Sequence, residues 1–497
     1  MLIEQFYDKG LAHGSYAVIS ENEVVLIDPA RDPQPYYDFA KKHEAKIIGV
    51  IETHPHADFV SSHLEIHQKT GASIYVSRLL GADYEHISYD EGDVLKVGNV
   101  TLKAINTPGH SPDSICILVI DEHGAEHSIF TGDTLFVGDV GRPDLRESAG
   151  NLVAKKEELA RDMYHSTREK LMKLPEDVIV YPSHGPGSLC GKNLSPELNS
   201  TIGKELRENY ALQSMSETAF VDMLTKDQPF VPKYFSYNVK LNKQGAEQLE
   251  ESLKAIPRIE GSFSPVENIL IIDTRKENKY KAGHLKNSIN LQDGAKFETW
   301  LGSIVAPDEV FYLIAADEAA LNIVIRKAAK IGYEKQIKAA IIAKDGLPQR
   351  TPAIDINDFD NNRSDYTIVD IRNTSEVRGH KVFEGAINIP LHQLRERANE
   401  IPTDKPIVVH CAGGYRSAAG SSIIAQHMRQ VTVLDLSDKI TQYPKNNWNK
   451  DIRSKEQRAR NKEQGFSLIR KPLSSSYHGP RIFGLWPQFH SSLILAL

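Results

Sequence analysis

The segment Thr53-His54-Pro55-His56-Ala57-Asp58-Phe59 follows directly on the apolar stretch Ile48-Gly49-Val50-Ile51. Two imidazoles and a carboxylate within five residues, placed at a strand end, are the ligand types that hold a first-row transition metal. Three later segments repeat the pattern: Pro108-Gly109-His110-Ser111, Phe130-Thr131-Gly132-Asp133 and Pro182-Ser183-His184-Gly185. Each sets a His or an Asp beside small residues that let the backbone turn tightly. A different chemistry is written at Pro406-Ile407-Val408-Val409-His410, a short apolar strand running into Cys411-Ala412-Gly413-Gly414-Tyr415-Arg416-Ser417 and then the helical Ala418 to Ile424. A thiol between a strand end and a helix start faces unsatisfied backbone N–H groups and the positive end of the helix, which favours the thiolate. The glycines permit a tight cradle for an anion or for a group carried on the sulfur.

These residues need a large scaffold. At ~100–200 residues per domain, 497 residues predict three or four domains. With 40% hydrophobic and 25% charged residues, collagen-like and wholly disordered classes are excluded. A net charge of −7 and a pI near 6.3 give no footprint for nucleic acid. Three cysteines exclude a secreted disulfide framework and fit a reducing compartment. The opening Met1-Leu2-Ile3-Glu4-Gln5-Phe6-Tyr7-Asp8 has neither a signal-peptide nor a transit-peptide pattern, and no apolar run reaches the ~18 residues of a membrane span, so a cytoplasmic protein is expected.

Residues 15 to 28 read as two strands around a Glu21-Asn22 turn, Lys46 to Ile51 as another, and helical and strand patterns then alternate to about residue 200. This predicts one α/β domain of layered sheets and helices, with a boundary near Gln228-Pro229-Phe230-Val231-Pro232. From 266 onward the chain repeats itself. Asp273 against Asp370, His284 against His380 and Asn290 against Asn388 give offsets of 97, 96 and 98 residues, which suit tandem small domains. Beyond about 445 the pattern fails: residues 451 to 471 hold seven basic and three acidic residues, a Ser-Ser-Ser run follows, and a poorly ordered terminus is expected.

The His and Asp constellation resembles the metallo-β-lactamase superfamily, whose signature is His-x-His-x-Asp-His followed by distant His, Asp and His. The final His of the first motif is Phe59 here, which argues against a full second metal site. Gly132-Asp133-Thr134-Leu135-Phe136-Val137-Gly138-Asp139-Val140-Gly141-Arg142-Pro143-Asp144-Leu145 extends the resemblance to the persulfide dioxygenase branch. That likeness implies one Fe(II) per chain on His54, His110 and Asp133, a facial set of two imidazoles and a carboxylate that leaves open positions for substrate and dioxygen. His56, Asp58 and His184 would then orient the ligands by hydrogen bonding. Arg142 is a candidate for an anionic substrate or for a structural ion pair. Cys190, six residues after His184, is a candidate for positioning a persulfide or for simple packing, whereas Cys116, inside an apolar strand, reads as packing.

The Cys411 loop resembles that of the rhodanese sulfurtransferases, supported by Asp370-Ile371-Arg372, Gly379-His380 and Gly385-Ala386-Ile387-Asn388-Ile389-Pro390. The likeness implies a persulfide on Cys411, with Arg416 catalytic and Gly413, Gly414 and Tyr415 lining the substrate. A Cdc25-like phosphatase loop is one residue longer; the four residues between Cys411 and Arg416 suit a sulfane sulfur better. The Gly-Gly expected near Ser437-Asp438 is missing. In the first repeat the matching segment, Phe311 to Ala320, has no cysteine, cradle or arginine and is expected to be a spacer or docking domain.

The expected architecture is therefore α/β and multidomain: an αββα metallo-β-lactamase sandwich over 1–235, rhodanese-like α/β domains over 255–350 and 351–445, and an atypical tail over 446–497. The expected activity is iron-dependent oxidation of a low-molecular-weight thiol persulfide by dioxygen to sulfite, with Cys411 passing a sulfane sulfur to sulfite to give thiosulfate. Related fusions imply a dimer or tetramer. The competing readings are a zinc thioester hydrolase resembling glyoxalase II, and a sulfur-binding sensor or scaffold with a vestigial metal site.

Overall fold

Strict alternation of side chains along the first strands decides how the N-terminal domain is layered. In the computed structural model, which describes residues 1–145, 155–259, 263–344 and 346–443, Tyr16 and Val18 face one way from the strand His13–Ser20 while Ala17 and Ile19 face the other. The first set meets Val25, Ile27 and Ile51 of its own sheet and Leu102, Ile117, Val119 and Phe130 of a second sheet. The other set packs on Tyr36, Phe39 and Ile66 from the helices Gln34–Lys42 and His63–Thr70. The far face of the second sheet is covered by Met163, Ile202 and Phe220, carried on the helices Lys156–His165, Ile202–Glu208 and Glu217–Thr225. The result is the expected αββα sandwich.

The first sheet runs in the order Leu2–Asp8, His13–Ser20, Glu23–Ile27, Lys46–Ile51, Ser73–Val76, Ile87–Ser88. The second runs Ser200–Thr201, Ile179–Pro182, Glu126–Gly132, Ile115–Ile120, Val100–Asn106, Val94–Val97. Four of these strands follow one another as antiparallel hairpins between Val94 and Gly132, so helix and strand do not alternate there. Tight polar turns such as Gly98-Asn99 leave no room for a crossover helix.

Behind the sandwich stand two parallel sheets. The first orders Arg258–Ile259, Ile337–Ile342, Phe311–Ala315, Leu270–Asp273, Ser288–Asn290; the second orders Ile387–Asn388, Thr367–Asp370, Ile407–His410, Val433–Asp435. The repeated residues do the same structural work in both. Arg275 Nη2 donates to Asp273 (2.6 Å) and to the Gly283 carbonyl (2.8 Å); Arg372 Nη2 donates to Asp370 (2.6 Å) and to the His380 carbonyl (2.8 Å). Asn290 and Asn388 each tie down the carbonyls of that Asp and Arg. Ser437, where glycine was expected, takes φ +58°, a strained left-handed conformation held by its N–H on Asp435 (2.9 Å) and its hydroxyl on Glu277. The tail from 446 onward lies outside the described residues, and among the described residues no helix is long and apolar enough to cross a membrane.

Residues 1–444 form one compact unit, and buried polar contacts join the sandwich to the first repeat. Arg31, 2% exposed, donates to Glu334 (3.0 Å) and to the Glu247 carbonyl (2.8 Å) and lies 3.6 Å from Glu65. Removing one partner of such a buried pair leaves uncompensated charge. Arg31→Met is therefore expected to cost about 3 kcal/mol, read as a lowered urea midpoint; a midpoint within error of the wild type would contradict this role.

Candidate metal centre and thiolate loop

Four strand or loop ends deliver the candidate ligands to one place. His54 follows Lys46–Ile51, His110 follows Val100–Asn106, Asp133 follows Glu126–Gly132 and His184 follows Ile179–Pro182. Two glycines allow the approach. Gly132 has φ +51°, and a Cβ there would meet Thr53 Oγ1 at 2.6 Å; a Cβ on Gly141 would collide with the Asp133 carbonyl.

Asp133 is the hub. Its Oδ2 lies 3.4 Å from His110 Nε2 and 3.8 Å from His54 Nε2, and its Oδ1 lies 3.4 Å from His184 Nε2. Ligands ~2.1 Å from a common ion and at roughly tetrahedral angles stand about 3.4 Å apart, so these separations suit a shared cation. Both Asp133 oxygens are buried with no hydrogen-bond donor of ideal geometry among the described residues, and His184 Nε2 faces only carboxylates, Asp58 at 3.3 Å and Asp133 at 3.4 Å. Such groups are costly to bury unless something binds them. Ligand atoms of His54, His110 and Asp133 lie within 4.8 Å of one another, as do those of His56, Asp58 and His184, and those of Asp133, His184 and Cys190.

Neighbouring groups set the tautomers. The Thr53 hydroxyl gives its proton to Asp28 Oδ2 (2.8 Å), so toward His54 Nδ1, 3.0 Å away, it accepts. His54 thus carries its proton on Nδ1 and turns an Nε2 lone pair to the centre. His110 Nδ1 donates to the Arg142 carbonyl (2.9 Å) with the same result, and His184 Nδ1 donates to the Ala12 carbonyl (3.2 Å). His56 is held differently: its Nε2 lies 3.1 Å from Asp28 and 3.8 Å from Glu52. The helix Phe235–Gln244 clamps this loop from behind, since Asn242 donates to the His56 and Phe59 carbonyls (both 2.8 Å) and accepts from Ser61 N–H (2.9 Å).

Charge and burial separate the imidazoles. Burial lowers the His110 pKa against the pull of Asp133. For His184 burial works the same way but is outweighed by Asp133 and Asp58, which hold it well above the ordinary value. Asp58, 3.3 Å from His184, falls to about 2: burial would raise it, and the His184 charge prevails. Phe59 fills the place of the missing imidazole with packing. It is 1% exposed and stacks on His13 at 3.7 Å, and burial lowers the His13 pKa to about 3.

The two substrate candidates of this domain fare differently. Arg142 is buried, with its guanidinium taken up by Asp144 (2.7 and 2.6 Å) and the Leu189 carbonyl (3.1 Å), while its N–H bonds the Cys190 carbonyl (3.0 Å). Its side chain braces the loop that carries Cys190. The Cys190 sulfur stands beside Asp133 and His184, and burial, with the charges of Asp58 and Asp133, pushes its pKa up and keeps the thiol protonated. Cys116 is a packed strand residue, bonded to Thr107 at 3.2 Å and raised by burial to about 11.

Cys411 lies at the end of Ile407–His410, just before the helix Tyr415–His427, and its Sγ accepts the Gly414 N–H at 3.2 Å. Gly414 has φ +96°, and a Cβ there would come within 2.8 Å of Ser437 and Asp438 backbone. Gly413 has open space beside it. Arg416 forms a two-pronged ion pair with Glu376 (2.7 Å each) and lies over Trp300, and Tyr415 Oη donates to the Gln292 carbonyl (2.9 Å). In the first repeat a sharp helix start replaces the cradle: Asp317 caps the helix Glu318–Lys330 through Ala320 N–H (2.9 Å).

Asp28, His13, Glu376 and Trp300 had not been singled out in the sequence. Asp28 had a signal, because it ends an apolar strand as Asp133 does. The other three had none, since each is brought in from a distant segment.

The geometry has relatives. Residues 9–184 match the metallo-beta-lactamase superfamily, and residues 263–339 and 355–438 match the rhodanese-like domain. A solved metallo-beta-lactamase from Staphylococcus aureus is 32% identical with a TM-score of 0.62, covering 69% of this chain and 99% of its own. Human mitochondrial persulfide dioxygenase ETHE1 is 31% identical over 164 residues, which is 33% of this chain and 59% of that protein. A probable hydroxyacylglutathione hydrolase from Schizosaccharomyces pombe is 29% identical over 177 residues, 34% of this chain and 62% of that one. The chain thus spans about three-fifths of these two curated relatives.

Thr53→Val removes the acceptor for His54 Nδ1 while keeping the side-chain volume. Metal affinity is expected to fall about 10- to 100-fold, measured by chelator competition on folded protein; unchanged affinity would contradict the tautomer assignment.

Proposed function

Because the chain belongs to the metallo-β-lactamase superfamily and carries rhodanese-like domains behind that fold, we propose that it is a persulfide dioxygenase coupled to a sulfurtransferase. The observation that carries the reading is the convergence of His54, His110 and Asp133 in a buried pocket beside the Cys190 sulfur, in one chain with the cradled Cys411. The substrate is a low-molecular-weight thiol persulfide: RSSH, O2 and H2O give RSH, sulfite and two protons. At Cys411 a second persulfide exchanges its sulfane sulfur with the thiolate, releasing RSH. Sulfite then attacks that sulfur, forming thiosulfate and returning the thiolate.

The chain's own residues divide the work. His54, His110 and Asp133 would hold one Fe(II), which supplies, when bound, a meeting point for sulfur and dioxygen with the electrons to activate the latter. Thr53 and the Arg142 carbonyl fix the two imidazoles, and Phe59 and its neighbours keep bulk water away. In this reading the Cys190 thiol lies where it can donate to a persulfide sulfur. The Gly414 N–H, and the Gly413 space, hold and admit the sulfur carried on Cys411. The reducing, aqueous setting that three free cysteines suit is the cytoplasm.

A zinc thioester hydrolase draws support from the convergence of His56, Asp58 and His184. Against it, Phe59 occupies the position of the remaining imidazole and His56 is engaged by Asp28. Oxygen uptake with glutathione persulfide separates the readings. Wild type is expected to consume O2 and produce sulfite, His110→Ala to fall to background, and Cys411→Ser to keep consuming O2 while making no thiosulfate. Thioester cleavage with no O2 uptake would overturn the proposal.

A further inference from the structure

The first repeat has no cysteine in its matching segment, yet one of its turns reaches toward both candidate sites. Lys296 immediately precedes the helix Phe297–Ile304. Its Nζ donates to the Gly187 carbonyl at 2.8 Å, in the loop that joins His184 to Cys190. Gly187 has φ +93°, and a Cβ there would stand 3.0 Å from that ammonium, so the loop is shaped around it. The same Lys296, with Trp300, walls the pocket of about 340 Å3 that contains Cys411, Gly413 and Arg416. Thr299, on the same helix, lines a narrow cleft with Asp58, Gly187 and Ser188, on the metal side. One hydrophobic cluster runs through Phe59, Cys190, Phe297, Leu301 and Cys411, so the two sites share a continuous packed wall.

Charge is distributed unevenly along this wall. Arg142, near the candidate metal ligands, is neutralised by Asp144, and Arg416, near the Cys411 sulfur, by Glu376. Among the described residues no carboxylate lies within ion-pair distance of Lys296, whose hydrogen bond is to a neutral carbonyl. Burial lowers its pKa, opposed by Glu298 and by Asp58 across the cleft. An ammonium on a four-carbon stem is a mobile point charge with three donors, suited to following a small oxyanion.

We propose that Lys296 is a relay cation that hands sulfite from the metal pocket to the Cys411 pocket along the helix Phe297–Ile304, without release to bulk solvent. This rests on the dioxygenase and sulfurtransferase reading and gives the silent repeat its use: it is the wall and the carrier between the two sites. No bond is made or broken at Lys296; the sulfur leaving the first site as sulfite is the one that becomes the sulfonate of thiosulfate.

Isotope dilution tests it. Iron-loaded full-length protein turns over unlabelled glutathione persulfide in air with 34S-sulfite added to the buffer, and the sulfonate sulfur of the thiosulfate is read by mass spectrometry. Sulfite handed over by Lys296 acts at roughly millimolar effective concentration, so with about 10 μM bulk label at most about a tenth of the wild-type sulfonate is expected to be labelled. Lys296→Met is expected to bring the label up to the bulk ratio, and Lys296→Arg to retain most of the exclusion. The ratio is read within the product formed, so it does not depend on how fast either variant turns over. Full mixing in the wild type, or equal labelling of wild type and Lys296→Met, would overturn the relay while leaving the coupled reading intact. An absence of O2 uptake would overturn both.

Discussion

A buried carboxylate set among three imidazoles is the constraint from which the site follows. Asp133 is 1% exposed, and its two oxygens face three imidazole Nε2 atoms at 3.4 to 3.8 Å. Burying an ion this way costs several kcal/mol unless a partner recovers it. His54 and His110, with their protons committed to Thr53 and to the Arg142 carbonyl, offer lone pairs and not positive charge. Those two lone pairs and the Asp133 carboxylate are a donor set that fits a metal ion, beside the His184 imidazole that Asp133 and Asp58 hold on its other side. Thr53, Asp28, Arg142 and Asn242 are then explained together, as the groups that keep the ligands turned inward and the loop still.

The two repeats share a frame and differ in one loop. Both copies keep the Asp–Arg pair and the Asn that binds its carbonyls, because these close the sheet ends on which each domain depends. Only one keeps a cradle. Where Cys411 receives the Gly414 N–H, the other copy has Asp317 capping a helix, an acceptor that cannot hold an anion. What the first copy contributes is a wall: Lys296 and Trp300 line the pocket of Cys411, and Glu298 is buried against Lys330 at 3.3 Å.

The ligand-bearing strand ends were legible because apolar runs stopping at His or Asp beside glycine leave few other readings, and the tandem domains because their motifs recur at a constant offset. Cys190 stayed open in the sequence, since only the fold decides whether a small thiol packs or faces a metal; its sulfur stands next to Asp133 and His184. Residues delivered by a distant segment left no trace. His13 arrives from a neighbouring strand to stack on Phe59, Asn242 sits on a helix that reads as a linker, and Glu376 reaches Arg416 across forty residues. The antiparallel run from Val94 to Gly132 was misread as alternating helix and strand because short apolar segments look alike until their turns are weighed.

In the proposed function a single iron sits on two histidines and one aspartate. Metal content measured on protein purified without air, before any reconstitution, tests it most directly. Iron near one per chain is expected, lost together with oxygen-dependent turnover on chelation. Two zinc ions per chain, with full turnover, would contradict it.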